Sequence, residues 1–272
     1  MGNLFFPQLG SGAIAQYPVK KTRVVRSVTN LLPDGSMIVQ ADTPASKLVW
    51  EMNYSELAPA DAIALQSHFQ ACCGPYHAFT FIDPTDNMFG SSVDLTATAW
   101  SKDPQIQITA GAADPIEGTN AFIVTNEGSA VQKFSQQLTV PANYQYCFSL
   151  YARSAQPSIV TAMWQGANAI ANNELAVSTI WNRIVSSGRL NDAGTELSVG
   201  VMLQPGQQIT VYGLQLEAQI QPSRYRPTVT NGGVYPNAHF VAATLSMTSD
   251  APSLFSTRFA IQANTQVTDG NN

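Results

Sequence analysis

Charge is scarce in this sequence. Lys, Arg, Asp and Glu make up 11% of its 272 residues, less than half the quarter common in globular chains. Thr, Ser, Gln, Asn and Ala take their place, and a surface of small neutral polar groups suits a protein held in a permanent assembly. The formal net charge is −5, with no basic stripe, which argues against nucleic acid as a partner. No apolar run nears the ~20 residues of a membrane-spanning helix, so no membrane insertion is expected. The opening Met1-Gly2-Asn3-Leu4-Phe5-Phe6 lacks the basic and long apolar regions of a secretory signal, and the chain is expected to fold in a cytoplasm.

Cysteine is equally sparse. Cys72, Cys73 and Cys147 make no disulfide framework, because a bridge between neighbours is strained. Cys72-Cys73-x-x-x-His77 has no second ligand pair, so these read as small residues at a helix end rather than as a metal site. Nor is a catalytic set present. His68, His77 and His239 are scattered, with His68 expected on the polar side of a helix, and the serines lack a nucleophile elbow. No Gly-rich phosphate loop occurs. The acids between Asp103 and Glu217 cannot be paired from sequence into a glycosidase couple. The expectation is a protein that is not an enzyme and carries neither cofactor nor metal. Glu217 reads as a cap on backbone at a sheet end, with a structural calcium as the lesser alternative.

What is present is strand after strand, and one helix. Ala62, Leu65, Phe69 and Cys72 fall three, four and three apart, one stripe of a short helix. Pro59 suits its first turn and Gly74-Pro75 its stop. Ahead of it, Lys20 to Val28 is a strand rich in Lys and Arg, Pro33-Asp34-Gly35-Ser36 is a turn, and Leu48, Trp50 and Met52 alternate onto one face. After Pro84 come short strands between turn signals, the clearest being 121–125, 145–153, 158–164, 181–186, 197–203 and 208–217. That rhythm predicts a two-sheet sandwich or jelly roll. Residues 232–267 return to the first texture and are too few to fold alone. The fold expected is therefore mainly β: a split β-sandwich or barrel with one short helix, residues 1–90 and 229–272, and an antiparallel jelly roll inserted at 91–228. The tail Thr268–Asn272 is expected to be loose.

The end segments resemble a known family. The basic strand, the Asp34-Gly35 turn, Trp50-x-x-x-Tyr54-x-x-Leu57, the helix with Phe69, and Phe79-x-Phe81-x-Asp83-Pro84 are similar to the distal tail and minor tail proteins of long-tailed bacteriophages. Gly233-Val234-Tyr235-Pro236-Asn237-Ala238-x-Phe240 fits the closing half of that domain. In the insert, Tyr146-x-Phe148-Ser149-x-Tyr151-x-Arg153, Trp181-x-Arg183, Gly213-Leu214-Gln215-Leu216-Glu217-Ala218 and Tyr225-Arg226-Pro227-Thr228 resemble carbohydrate-binding-module-like jelly rolls of phage tail proteins. The resemblance implies a baseplate component of a virion tail tip. It would form a ring with itself, hexameric before trimeric, and join the tail tube protein to the central hub. The jelly roll would face outward for host attachment, where host surface polysaccharide is a further partner. The alternatives are a carbohydrate-binding adhesin acting through the insert, and an enzyme degrading cell-envelope polysaccharide.

Sugar binding needs an aromatic platform flanked by polar groups. Tyr151, Trp164 and Trp181 are the candidates, against the reading that the two tryptophans are sandwich core. For subunit contact, the apolar opening Leu4, Phe5 and Phe6 is the candidate arm, with docking on its own sheet the equal alternative.

Overall fold

The computed structural model describes residues 3–265, so the tail from Thr268 lies outside the described residues. Two compact units divide the chain. One takes both ends, through Phe81 and again from Tyr235, apart from Ser11–Ile14; the other takes Ser11–Ile14 and Ile82–Val234.

The terminal unit starts with β1 (Lys20–Leu31) and β2 (Met37–Leu57), followed by α1 (Pro59–Ala71) and β3 (Phe79–Ile82). Leu48, Trp50, Met52 and Tyr54 turn one face of β2 inward and are buried, the period-2 alternation of a half-buried strand. The helix starts with Pro59 at its first position and ends where Gly74, at φ +63, donates its N–H to the Phe69 carbonyl. Its buried stripe is Ala62, Leu65, His68 and Cys72. His68 is thus not on the polar side. It stands three residues after Leu65 and four before Cys72, on the helix face that meets the sheet. Phe69 lies beside the stripe and is half-buried.

In the second unit the strands are β4 (Ser101–Lys102), β5 (Ile106–Ala112), β6 (Ala121–Asn126), β7 (Gln132–Leu138), β8 (Tyr146–Arg153), β9 (Ser158–Gln165), β10 (Ile170–Val177), β11 (Asn182–Gly188), β12 (Leu197–Leu203) and β13 (Gln208–Glu217). They form two antiparallel sheets, ordered β10-β9-β12-β7-β4 and β11-β8-β13-β6-β5. The eight strands from β6 to β13 follow the strand order of a jelly roll, and β4 and β5 lengthen one edge of each sheet. Buried rings link the two sheets, from Phe134 through Trp100 and Phe89 to Phe148, with centroids 6.2, 5.0 and 5.9 Å apart.

The chain then returns to the terminal unit through β14 (Val234–Phe240), β15 (Met247–Ala251) and β16 (Leu254–Asn264). Its sheet runs β1-β2-β16-β14-β3, with β15 on β16. Phe5 adds a parallel bridge to Thr80, where the Phe6 N–H donates to the Thr80 carbonyl at 2.9 Å and the Thr80 N–H to the Leu4 carbonyl at 2.7 Å. Phe6 is buried against the rings of His68, Phe79, Phe81 and Phe259. The expected arm of Leu4, Phe5 and Phe6 is therefore corrected at Phe6: its side chain belongs to the unit's own core, and Leu4 and Phe5 are half-buried.

Candidate functional site

The terminal unit carries an extended feature on its sheet. Among the described residues β16 pairs with β2 from Lys47 onward, where Lys47 pairs with Asn264, and just past the strand the Thr265 N–H donates to the Ser46 carbonyl at 3.0 Å. Beyond that point, among the described residues, β1 and β2 pair with each other alone, from Val24 opposite Lys47 out to Leu31 opposite Met37. At about 3.3 Å per residue the ribbon reaches about 25 Å past the sheet. Its turn is fixed by Gly35 at φ +84 and by Asp34, whose carboxylate accepts from the Ser36 N–H at 2.9 Å and hydroxyl at 2.6 Å. Those hydrogen bonds hold the Asp34 carboxyl below its ordinary value.

Every side chain of β1 is exposed. Leu31 is 75% exposed, Met37 62% and Val39 54%, and register places these three on one face of the ribbon. A lone hairpin is marginal in water, and clustered exposed apolar groups mark a contact surface. Lys20, Lys21 and Arg23 lie where β16 still backs β2, and the ribbon from Val24 to Lys47 balances Arg26 and Lys47 against Asp34 and Asp42, net zero.

In the jelly roll, the outer face of β11-β8-β13 is aromatic and partly covered by the segment that leaves β13. Gln215 and Glu217 project there and pin that segment. Gln215 Oε1 accepts from the Arg226 N–H at 2.7 Å, while Glu217 accepts from the Ser223 N–H and hydroxyl and from Gln219 Nε2. Glu217 is a backbone cap here. Both faces of β8 are consequently buried, Cys147 and Ser149 as well as Tyr146, Phe148 and Leu150.

Between Tyr212 and Gln215 the β13–β8 register slips, and Gly213 sits at φ +64. A Cβ there would meet the Tyr225 ring at 3.2 Å and the Tyr151 ring at 3.3 Å, so glycine allows the bulge and the approach of both rings. Tyr212 stands 6.1 Å from Tyr151 and 5.4 Å from Tyr225, the latter nearly edge-on at 66°. Tyr225 Oη is held near Ser92, 3.1 Å from its hydroxyl. Ser92, Tyr212, Gly213 and Tyr225, together with Asn120, Phe122 and Pro227, bound a cleft of about 260 Å³.

Burial raises the phenol pKa of both tyrosines, and at Tyr212 the Asp114 carboxylate adds to it, so both are neutral donors at physiological pH. The loop bearing Asn120 is wrapped on Asp114, which accepts from the N–H groups of Ile116, Gly118 and Asn120 and from Asn120 Nδ2. Burial works against that carboxylate, but these donors outweigh it and hold its pKa below the ordinary value.

Tyr151 stands behind Tyr212, with the Arg183 guanidinium 5.5 Å above its ring, and is not among the residues that line the cleft. Trp181 lies just before β11, half-buried under Arg153 at 4.9 Å, and does not line the cleft. Trp164 is corrected. It is 2% exposed, with Nε1 donating to Ser186 Oγ at 2.9 Å, and no face of it is open as a platform. Tyr212, Tyr225 and Asn120 were missed, although a glycine inside a strand pattern signals a bulge. No group of three or more His, Cys, Asp or Glu side chains placed to hold a metal occurs among the described residues.

No protein-family model matches the chain, and no curated protein does. Solved structures with a similar arrangement exist. The C-terminal family 22 carbohydrate-binding module of Clostridium thermocellum Xyn10B matches 52% of this chain and 99% of its own, at 15% identity and a TM-score of 0.42. The CBM22-1–GH10 modules of the same xylanase, complexed with xylohexaose, match over 54% of this chain but only 30% of their own, at 11% identity and 0.41. The enzymatically active domain of bacteriophage CBA120 tailspike protein 4 matches over 50% of this chain and 22% of its own, at 9% and 0.38. With TM-scores below 0.5, none of these likenesses bears on what this chain binds.

Proposed function

We propose that this chain is a structural, non-enzymatic subunit of a phage-type tail tip, closing a ring with copies of itself through the β1–β2 ribbon. The ring, of six copies rather than three, joins the tail tube to the central hub in the virion. The observation that carries the reading is the ribbon itself: a hairpin that, among the described residues, has no sheet support beyond Ser46 and exposes Leu31, Met37 and Val39 on one face. Such an element gains its stability by packing on a neighbour. The likeness of the terminal segments to distal tail and minor tail proteins supports the tail tip in particular. Replacing 25–46 by Asn-Gly closes the hairpin at the Val24–Lys47 pair with a two-residue turn. Sedimentation should show the full chain assembling and the trimmed chain monomeric with unchanged circular dichroism. A full chain that stays monomeric at high concentration, or a trimmed chain that still assembles, refutes the reading.

A second reading is favoured by the uncharged tyrosine cleft: a carbohydrate-binding adhesin acting through the jelly roll. The two are compatible, since a ring would multiply a weak sugar contact by its copy number. A glycan array of bacterial surface polysaccharides probed with the full chain tests it, and absence of binding removes it.

A further inference from the structure

We propose that the cleft between Tyr212, Tyr225 and Asn120 is a binding site for one neutral pyranose unit of a polysaccharide. This rests on the carbohydrate-binding reading and names the site and ligand class for it. A pyranose has apolar C–H faces and a rim of hydroxyls, and the cleft has the complementary layout. Phe122 and Leu214 lie at its buried base, Pro227 at its lip, and the Tyr212 and Tyr225 rings offer aromatic surface at a steep angle to each other. No Lys, Arg, Asp or Glu lines it. An anionic ligand would therefore lose its hydration without a counter-charge and meet the Asp114 carboxylate that already acts on Tyr212, whereas a neutral sugar loses little.

The size fits one ring. About 260 Å³ lies below the ~300–1,000 Å³ of drug-sized sites. Hydrogen-bonding capacity is left over at the rim. The Tyr212 hydroxyl makes no hydrogen bond among the described residues, and Asn120 commits only Nδ2, to Asp114, leaving its Oδ1 open. The site is also held ready before any ligand arrives. Tyr225 is tied to Ser92, Ser92 to Thr228, and the Asn120 loop to Asp114, so little ordering cost is left for binding.

The test is an NMR titration of the full chain with methyl β-glucoside, β-galactoside, β-mannoside and β-xyloside and their β-1,4-linked disaccharides, following the Gly213 and Asn120 amides. At least one sugar should shift both amides. Tyr212→Ala should then weaken its binding tenfold or more. Asn120→Ala, a change on an exposed loop that keeps the core intact, should weaken it several-fold, and Tyr212→Phe less than Tyr212→Ala. Binding that is unchanged in Tyr212→Ala and Asn120→Ala overturns the site while leaving the adhesin reading standing. A chain that binds none of these sugars or the array polysaccharides overturns both.

Discussion

His68 makes the terminal unit sensitive to acid. Its ring is wedged between Phe6, Phe79 and Phe240, with centroids 4.8 to 5.8 Å away, and burial pushes its pKa from 6.5 down to about 4. The folded state therefore keeps the imidazole neutral at pH values where the unfolded chain protonates it. As pH falls below 6.5 the unfolded state binds more protons, and stability drops until the folded imidazole also protonates near pH 4. The gap between 6.5 and about 4, at 1.36 kcal/mol per pH unit, is worth about 3 kcal/mol in full. Most of it, about 2–3 kcal/mol, is already lost at pH 4.5. Carboxylates titrate in the same range, so the informative quantity is the difference between wild type and His68→Leu. Hydrogen exchange of β2 and β16 amides, which reads this unit by itself, should show the wild type losing about 2–3 kcal/mol more than the variant between pH 7.5 and 4.5. Equal losses in the two proteins would refute the assignment of His68 to a dry aromatic core.

Three other substitutions separate the core from the surface. Phe6→Ala removes a ring with four aromatic neighbours and should cost about 3–5 kcal/mol by the same exchange measurement; a loss under about 1 kcal/mol would mean the N-terminal segment does not pack on β3. Trp164→Phe leaves Ser186 with Asn173 as its partner and should cost about 1–2 kcal/mol in jelly-roll stability by urea unfolding, with no effect on sugar binding. Gly213→Ala forces a Cβ into the left-handed region and against two tyrosine rings. It should destabilise the jelly roll by about 1–3 kcal/mol, seen in the same unfolding curves, and shift the Tyr212 and Tyr225 resonances.

Much of the architecture was legible because apolar periodicity is a strong signal. Leu48-Trp50-Met52 and Tyr146-Phe148-Leu150 gave their inward faces directly, and Pro59 and Gly74 bracketed the helix. The polar strands β5, β7 and β10 carry no such signal. QKFSQQL and IANNELAV owe their place to pairing with β12 and β9, a tertiary effect that local pattern does not carry. The same holds for His68, whose burial depends on an aromatic cluster assembled from α1, β3, β14 and the N-terminal segment. Tyr151 stands out in its strand pattern but does not line the cleft, whereas Tyr212 and Tyr225, which do, meet only through the bulge at Gly213 and the path of the segment after β13. Trp164 and Trp181 look alike in sequence, and only their position relative to Ser186 and Arg153 separates a core ring from a surface one.

The ribbon is the centre of the account, and cryo-electron microscopy of the purified full chain tests it most directly. Closed rings are expected, with Leu31, Met37 and Val39 buried against the neighbouring copy. Particles that are single subunits, or rings in which that face of the ribbon stays bare to solvent, would contradict it.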